Sequence, residues 1–372
     1  MLGNTFGRMF RITACGESYG DALVAIIDGC PAGLEITDEE VQNELDARRP
    51  GTSPLDSPRK ETDHVHIFAG VRENLTTGAP LGLIIYNVDR QDIHVKQYFD
   101  VKDLIRPGHA EYTHMVKYGK YADWCGAGRA SGRETCMRVA AGAVAKKILE
   151  KNGIKVLGYV KECAGIRARE LTFAEVEANY RKNLINCPDE EAAQKMIDEV
   201  LKIKDEGDTA GGIVEIIATG VPAGLGDPVF DKLNATLAHG LMSIGAVRGV
   251  EFGAGFEVAK MKGSECNDIP EIKEGKVRFK TNKSGGVEGG ISNGEDIVIK
   301  LAVKPTATIS IAQDTVNMVE MKNDKLAAIT RRDAQIAARL VAVAEAMTRV
   351  TVLDHLMMWR GYDSIQNIEH PW

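Results

Sequence analysis

The feature that most constrains the fold is an apolar strand-and-turn phrase that occurs twice in the chain. Residues 24–34 read Val-Ala-Ile-Ile-Asp-Gly-Cys-Pro-Ala-Gly-Leu, and residues 214–225 repeat this phrase with one additional residue. A helical pattern follows each copy, so each predicts a strand, a turn and a helix. The first helix opens with a capping-box pattern from Thr37 to Glu40, whereas the second follows Pro228, a residue suited to a first helical turn.

Later elements recur in the same order in both parts of the chain. Each part continues with an apolar strand and then an alanine-rich helix. These elements are predicted at Pro80 to Tyr86 and Glu134 to Lys151, and again at Asp296 to Val303 and Asp333 to about Thr351. The order predicts a pseudo-twofold α/β arrangement with half-repeats of roughly residues 10–160 and 209–360. Chance recurrence of a common Pro-Ala-Gly turn is the alternative explanation.

The polar segment of residues 165–208 separates the two parts. It contains a second capping-box pattern, from Thr172 to Glu175, and helical spacing from Glu190 to Lys204. We therefore expect a solvated helical insertion here. The alanine-rich helices have few large polar faces, which predicts that they are buried between layers.

Composition is consistent with a soluble enzyme and excludes few other classes of protein. The chain has 372 residues, 44% of them hydrophobic, which is enough for a large core. Its net charge of −7 disfavours nucleic-acid binding. Seven cysteines without CxxC or ligand-like spacing indicate reduced thiols and no metal site. The first residues lack signal-peptide features, and no apolar run approaches the ~18 residues of a membrane span, so we expect a cytoplasmic protein with no membrane partner.

A glycine-rich, basic turn runs directly into one of the predicted helices. Residues 126–135 read Gly-Ala-Gly-Arg-Ala-Ser-Gly-Arg-Glu-Thr. Glycines allow close approach of backbone N–H groups, a helix start adds a positive dipole end, and Arg129 and Arg133 add fixed charge. These features are typical of an anion-binding site, although ordinary turn chemistry also produces such segments.

Further motifs in register with this turn resemble those of the chorismate synthase family. The resemblance runs from about Asn4 to Leu356, nearly the full length. The motifs are Gly-Glu-Ser-Tyr-Gly at 16–20, Arg-Arg-Pro-Gly at 48–51, Arg-Pro-Gly-His-Ala at 106–110, Leu-Met-Ser-Ile at 241–244, Gly-Gly-Val-Glu-Gly-Gly at 285–290, Lys-Pro-Thr at 304–306 and Arg-Arg-Asp at 331–333.

The resemblance implies a fold and an activity. The implied fold is α/β (α+β): a single domain over residues 1–372, with sheets sandwiching a helical layer, assembled as a homotetramer. The implied reaction is the trans-1,4 elimination of phosphate from 5-enolpyruvylshikimate 3-phosphate to give chorismate, a step of aromatic amino acid biosynthesis. It requires reduced FMN, which an external reductant such as an NAD(P)H-dependent flavin reductase would supply, since the chain shows no added reductase domain.

The resemblance also implies roles for individual residues. Substrate binding falls to Ser18, Arg48, Arg49 and Arg133. Catalysis falls to His109, Asp333 and Tyr19. Flavin binding falls to Arg129, Ala130, Ser131, Gly245, Ala246, Gly289, Lys304, Pro305, Thr306, Ala307, Thr308 and Arg331.

Several residues depart from the family pattern. Tyr19 replaces a histidine, and tyrosine is uncharged at neutral pH, so it can donate a hydrogen bond but cannot supply a cation. Pro54 and Cys125 replace arginines, and Gly245 replaces an asparagine. Two alternatives therefore stay open at this point: a paralogue acting on a related substrate, and a flavin-binding homologue without catalysis.

Overall fold

The computed structural model describes residues 3–51, 53–56, 62–88, 92–327 and 333–366. Its strands are β1 (Thr5–Phe6), β2 (Arg11–Cys15), β3 (Ala22–Asp28), β4 (Val65–Ala69), β5 (Val71–Arg72), β6 (Leu75–Thr76), β7 (Leu81–Tyr86), β8 (Lys155–Cys163), β9 (Ile166–Arg167), β10 (Gly212–Thr219), β11 (Val247–Phe252), β12 (Pro270–Lys273), β13 (Lys276–Phe279), β14 (Val287–Glu288), β15 (Ile291–Ser292), β16 (Ile297–Val303), β17 (Gln313–Asn317) and β18 (Lys322–Leu326). Its α-helices are α1 (Asp38–Asp46), α2 (Asp92–Asp100), α3 (Glu111–Tyr118), α4 (Thr135–Glu150), α5 (Phe173–Ala178), α6 (Glu190–Asp205), α7 (Leu233–Met242), α8 (Gly263–Cys266) and α9 (Ala337–Gln366).

Two five-stranded sheets form the outer layers of the molecule. Their strand orders are β1-β2-β3-β7-β4 and β11-β16-β10-β8-β9, and all neighbours within them are antiparallel. Burial alternates along the central strands, as in β16, where Ile297, Ile299 and Leu301 are buried and the residues between them are not. The period of two directs one apolar face of each sheet towards the helices.

The two sheets have the same topology. Along the chain, the order β2-β3-α1-β4-β7-α4 is repeated as β8-β10-α7-β11-β16-α9. In space, the order β2-β3-β7-β4 matches β8-β10-β16-β11. The predicted pseudo-twofold repeat is therefore confirmed in the fold. One boundary differs from the predicted half-repeats of residues 10–160 and 209–360: β8 (Lys155–Cys163) pairs with β10 in the second sheet, so the second half includes residues from Lys155 onwards.

Equivalent side chains hold the two repeated turns. The hydroxyl of Thr76 donates to the carbonyl of Pro31 at 2.6 Å, and the hydroxyl of Ser292 donates to the carbonyl of Pro222 at 2.6 Å. Each hydroxyl belongs to a short two-stranded hairpin, β5-β6 in the first half and β14-β15 in the second. The recurring phrase thus encodes the same local structure twice.

The helical layer lies between the sheets, as its alanine-rich sequences predict. Helix α4 packs on α9, α1 packs on α4, and α7 packs on α9. The backbones of α4 and α9 approach so closely that a Cβ atom on Gly142 would lie 2.3 Å from the Cβ atom of Ala346. Small residues at this crossing allow the contact, and a larger side chain would force the helices apart.

A buried ion-pair network joins the two halves through this layer. The Nη1 atom of Arg349 on α9 donates to Glu44 of α1 at 2.9 Å. Glu345, also on α9, accepts from the backbone N–H of Gly158 at 2.7 Å and from the hydroxyl of Tyr180 at 2.8 Å. Burial raises the pKa of Glu44, but Arg349 and its other cationic neighbours outweigh burial and lower it to about 2.

Two helix boundaries differ from the sequence prediction. Pro228 does not lie in the first turn of α7, which begins at Leu233, because Asp227 and Asp231 pair in an isolated bridge before it. Helix α9 begins at Ala337 and continues to Gln366, well beyond Thr351, because its later turns pack against α7.

Other local predictions are confirmed. The capping boxes of α1 and α5 are both present, and α6 covers the predicted helical spacing. The segment of residues 165–208 contains β9, α5 and α6. Within the described ranges, each helix is too short or too polar to span a lipid bilayer.

Candidate active site

The candidate site forms where two topologically equivalent connections meet. Residues 87–134 connect β7 to α4, and residues 304–336 make the equivalent connection from β16 to α9. The Nζ atom of Lys304 donates to the carbonyl of Gly108 at 2.6 Å, and Nη1 of Arg106 lies 3.4 Å from the hydroxyl of Thr308. The repeat thus brings together the loops that carry most of the predicted site residues.

The first charged group is the Asp63 cluster, which consists of Asp63, Arg48 and Arg133. Asp63 Oδ2 accepts from Nη1 of Arg48 at 2.9 Å, and Oδ1 accepts from Nη1 of Arg133. The Asp63 side chain is fully buried, and those of Arg48 and Arg133 are 8% and 2% exposed. Burial raises the pKa of Asp63, but the two guanidinium charges outweigh it and hold this pKa below its usual range.

A second set of contacts joins the Asp63 cluster to the loop containing Ser18. Nε of Arg133 donates to Oδ1 of Asn87 at 2.9 Å, and Nδ2 of Asn87 donates to the carbonyls of Glu17 and Gly20. Ser18 lies in the chain between these two carbonyls and is 2% exposed. Its hydroxyl has no hydrogen-bond partner among the described residues. A buried, unpartnered hydroxyl is costly, and a polar ligand group would satisfy it.

The glycine-rich turn shapes the wall beside Ser18. Gly126, Ala127 and Gly128 all have positive φ, at 59°, 65° and 49°. A Cβ atom on Gly126 would lie 2.6 Å from the ring of Tyr19, so glycine is required where the aromatic ring packs against the backbone. Arg129 donates to main-chain carbonyls at Gly16 and Ala14, which fixes the turn to the end of β2.

The second charged group is the Glu111 cluster, which consists of Glu111, Arg106 and His109. Glu111 Oε1 accepts from Nε of Arg106 at 2.6 Å and from Nη2, while Oε2 lies 3.1 Å from Nδ1 of His109. Burial raises the pKa of Glu111, but the hydrogen bond with His109 and the charge of Arg106 lower it to about 2. His109 is the most exposed member, with 24% of its side chain accessible.

Tyr98 of α2 contacts both parts of the site. Its ring packs edge-to-face on Tyr19 at a centroid distance of 5.6 Å. The guanidinium carbon of Arg106 lies 5.8 Å from the centroid of the same ring. Tyr19 and His109, two of the predicted catalytic residues, are thereby linked through Tyr98 and Arg106.

Most of the predicted flavin-binding residues gather beside Lys304. The N–H of Lys304 donates to the carbonyl of Ala246, whose φ is +74°. A Cβ atom on Gly245 would meet no atom within 4 Å, so this turn has an open face. Burial and the nearby charge of Arg248 lower the pKa of Lys304. Two basic side chains, Lys304 and Arg248, therefore lie close to this turn.

Asp333, the third predicted catalytic residue, lies next to this group. The hydroxyl of Thr306 donates to the backbone carbonyl of Asp333 at 2.8 Å. Asp333 Oδ2 lies 3.0 Å from Nη2 of Arg339. The N–H of Ala334 donates to the carbonyl of Leu55 at 3.1 Å, which connects Asp333 to the segment that follows Arg48.

The remaining predicted flavin contacts occupy the surrounding loops. The hydroxyl of Ser131 accepts from the N–H of Arg133 at 3.3 Å and caps the turn of Gly132–Glu134, directly after Ala130. A Cβ atom on Gly108 would lie 3.7 Å from the Cβ of Ala307, and Pro305 packs beside Gly211.

Two predicted residues are not brought into this arrangement, and a third falls outside the described residues. Gly289 lies in the β14-β15 turn, which precedes β16, whereas Lys304 follows the other end of that strand. Arg49 faces Asp46 on α1 at 3.6 Å, on the partly exposed surface. Arg331 lies outside the described residues.

Sequence reasoning missed the two carboxylates that organise the charged clusters. Asp63 had no local signal, because it follows a polar stretch and is linked to Arg133 only by folding. Glu111 had a usable signal, since it stands two residues after His109 and begins α3. The described residues contain no group of three or more histidine, cysteine, aspartate or glutamate side chains arranged to hold a metal ion.

Comparison with known proteins agrees with the motifs. A family model described as chorismate synthase matches residues 10–357. A chorismate synthase from Acetivibrio thermocellus is 56% identical, over 100% of this chain and 99% of the relative. One from Methanosarcina barkeri is 48% identical, over 96% and 97% of the two chains.

A solved structure shows the same fold. It is described as a crystal structure of chorismate synthase, with a TM-score of 0.73 and 30% identity, and the match covers 94% of this chain and 92% of that one. The α/β sandwich with its repeated halves, predicted from the sequence, is therefore confirmed. Sequence, fold and the family model agree over nearly the full length, and the chain belongs to the chorismate synthase family.

Proposed function

We propose that this protein converts 5-enolpyruvylshikimate 3-phosphate to chorismate and phosphate by a trans-1,4 elimination that requires reduced FMN. Family membership supports the reaction class. The assignment of the site rests on one observation: the β7–α4 connection contacts the equivalent β16–α9 connection where Lys304 donates to Gly108. This contact gathers cations, a histidine and a carboxylate around one region.

The Asp63 cluster supplies binding for an anionic substrate. Two arginines and one carboxylate leave a net charge of +1 in a region that excludes water. Low solvent exposure strengthens attraction for a phosphate or carboxylate. The unpartnered hydroxyl of Ser18 adds a hydrogen-bonding group to the same region.

His109 is proposed as the acid that protonates the departing phosphate. Histidine suits proton transfer near neutral pH. It is held beside Arg106 by Glu111 and is the most accessible member of its cluster. Asp333, oriented by Arg339, is proposed to assist removal of the ring proton.

The residues beside Lys304 fit a flavin phosphate. Lys304 and Arg248 provide positive charge next to the open face of Gly245. A small cavity lies beside Ala307 and Thr308. When bound, reduced FMN supplies the electron-rich ring that this elimination requires. The protein's part is to bind the phosphate, exclude water and present Tyr19 as a hydrogen-bond donor.

Other aspects of the proposal follow from the family. We propose a homotetramer acting in the cytoplasm on a small phosphorylated substrate, with reduced FMN delivered by a separate NAD(P)H-dependent reductase. Because Gly289 precedes β16 and Lys304 follows its other end, we propose that Gly289 contributes to the flavin site of a second subunit. Size-exclusion chromatography with light scattering tests the oligomer.

An anaerobic assay tests the reaction. Purified protein is mixed with chemically reduced FMN and 5-enolpyruvylshikimate 3-phosphate, and chorismate, phosphate and the flavin spectrum are followed together. Equal release of both products, dependent on reduced FMN, is the expected result. Oxidised FMN alone and the Asp333→Ala variant serve as controls, and both should give severely reduced turnover.

Other outcomes assign the protein differently. Tight binding of reduced FMN without product would indicate a paralogue with another substrate. Absence of both flavin binding and product would contradict the proposal entirely. Because Tyr19 is already present in the purified protein, product formation would show that tyrosine is tolerated at this position.

A further inference from the structure

The two oxygens of Glu111 face different partners. Oε1 accepts from Nε and Nη2 of Arg106. Oε2 lies 3.1 Å from Nδ1 of His109, and among the described residues this is the only donor that reaches it. The Glu111 side chain is 11% exposed. A largely buried carboxylate oxygen needs a donor, because an unsatisfied one loses its hydration without replacement.

This arrangement determines which ring nitrogen carries the proton. Nδ1 also lies 3.3 Å from Nη2 of Arg106, but that guanidinium already donates twice to Oε1 of Glu111. The shorter contact, to a charged acceptor, is the stronger hydrogen bond. In this pairing Nδ1 of His109 donates to Glu111, which leaves Nε2 as the ring nitrogen available for proton transfer.

The charged and titratable groups around His109 support this assignment. Arg106 and Glu111 lie on its own segment, and Lys304 approaches from the end of β16 by donating to the carbonyl of Gly108. Tyr98 of α2 stacks over Arg106. Of these groups, only Glu111 supplies an anionic acceptor to the imidazole.

We propose that Glu111 is a positioning residue that fixes His109 in the Nδ1–H tautomer and directs Nε2 towards the substrate. The inference rests on the proposed function for its catalytic meaning, but the tautomer is a property of the folded protein alone. Glu111 acts through His109 and does not contact the reacting atoms. The same carboxylate also holds Arg106, so one side chain sets the orientation of both basic neighbours.

Nitrogen-15 NMR of imidazole-labelled protein tests the tautomer directly. Spectra are recorded near pH ~9, where imidazoles are neutral, and His109 is assigned by its absence in His109→Asn. We expect a protonated Nδ1 and an unprotonated Nε2 in the unmodified protein. An ordinary Nε2–H tautomer at His109 would overturn the proposal without any variant.

The Glu111→Gln variant makes a sharper prediction. Its amide oxygen will turn to Arg106, which offers two donors, so its NH₂ group will face Nδ1 of His109. Nδ1 must then accept, and the tautomer reverses to Nε2–H. Glu111→Asp keeps the acceptor and should keep the Nδ1–H form. Retention of the Nδ1–H signal in Glu111→Gln would contradict the proposal.

The chain contains a matched control for this experiment. His66 Nδ1 lies 3.1 Å from Oδ2 of Asp38, the same distance as in the Glu111 cluster, but these side chains are 65% and 47% exposed. Water competes for both partners there. Asp38→Asn should therefore leave the His66 spectrum and the enzyme's turnover nearly unchanged. This control separates the effect of burial from the effect of a short nitrogen–oxygen distance alone.

Kinetics separate this inference from the proposed function. With reduced FMN and substrate, Glu111→Gln should lower kcat by about a hundredfold with little change in KM, since proton transfer contributes on this order. Glu111→Asp should recover most of the lost turnover. A reversed tautomer in a protein with no activity would contradict the function alone, whereas full activity with an unreversed tautomer would contradict the role of Glu111.

Discussion

The Asp63 cluster and the Glu111 cluster have the same design but different surroundings. In each, one carboxylate of the first half lies between two basic side chains. The Asp63 cluster uses two arginines and is almost completely buried, whereas the Glu111 cluster replaces one arginine with His109 and exposes 24% of that side chain. Arginine stays charged at every accessible pH, and histidine does not.

This difference separates two tasks. A buried cluster with permanent charges can hold an anion but cannot exchange protons. A cluster with an accessible histidine can exchange protons, and its carboxylate keeps the ring oriented. Tyr98 contacts Arg106 of the Glu111 cluster and Tyr19, and the loop of Tyr19 is linked to Arg133 of the Asp63 cluster through Asn87. Four predictions test how far this division holds.

The largest effect is expected from removing the carboxylate of the buried cluster. Asp63→Ala leaves Arg48 and Arg133 facing each other without their shared anion, and such a change costs about 3–5 kcal/mol of unfolding free energy. Urea denaturation measures it. The control is Asp28→Ala, which removes an exposed pair with Arg11 whose side chains are 48% and 46% exposed and should cost less than about 1 kcal/mol. Equal losses of unfolding free energy in the two variants would contradict the idea that burial strengthens the dependence on Asp63.

The free energy of unfolding should fall at acid pH because Glu111, the carboxylate of the second cluster, becomes protonated. The folded-state pKa of Glu111 is about 2, below the unfolded value of about 4.3. Its stabilisation is therefore fully present above about pH 4.3 and is lost as the pH falls towards 2, with a size of about 3 kcal/mol. Glu111→Gln should lack this loss, so unfolding curves of the two proteins should converge in acid. Parallel curves from neutral pH to pH ~2.5 would show that Glu111 is not held ionised.

Disconnecting the clusters should have a smaller effect on stability. Tyr98→Ala removes a half-buried ring and should cost about 1–2 kcal/mol, with a loss of turnover of at least tenfold, because aromatic contacts of this kind contribute on this order. Tyr98→Phe keeps the ring and should behave like the unmodified protein. The exposed Tyr112→Ala is the control. Unchanged turnover in Tyr98→Ala would mean that the clusters act independently.

The smallest effect is expected at Tyr19. Tyr19→His introduces a side chain that can carry charge next to Gly126, and we expect turnover to stay equal or rise severalfold, since both residues donate a hydrogen bond. Stability should change little because the new ring still fits against the glycine turn. Steady-state kinetics with reduced FMN decide this, and a large loss would show that tyrosine is specifically required.

The fold could be predicted well because its signals are local and repeated. The repeated phrase, the capping boxes of α1 and α5, and the alternating strands each encode their structure within a few residues. The predictions were wrong at helix boundaries that depend on contacts between residues far apart in the chain. The start of α7 depends on a bridge between Asp227 and Asp231, and the length of α9 depends on packing against α7.

The candidate site was only partly predictable. The motifs predicted roles for His109, Lys304 and Arg133, but they could not show that Gly289 and Lys304 lie beyond opposite ends of β16. Nor could they identify Asp63, which lies 70 residues from Arg133 in the chain. A side chain whose role is to pair with distant charges leaves no pattern in its own neighbourhood.

The sequence by itself determined the two repeated halves, the buried helices and the family, because periodicity, capping and motifs are short-range properties of the chain. The tertiary structure alone decided which carboxylates pair with which cations and where the two equivalent connections meet. Charge pairing falls off steeply with distance and gains strength with burial, and both quantities exist only once the chain has folded.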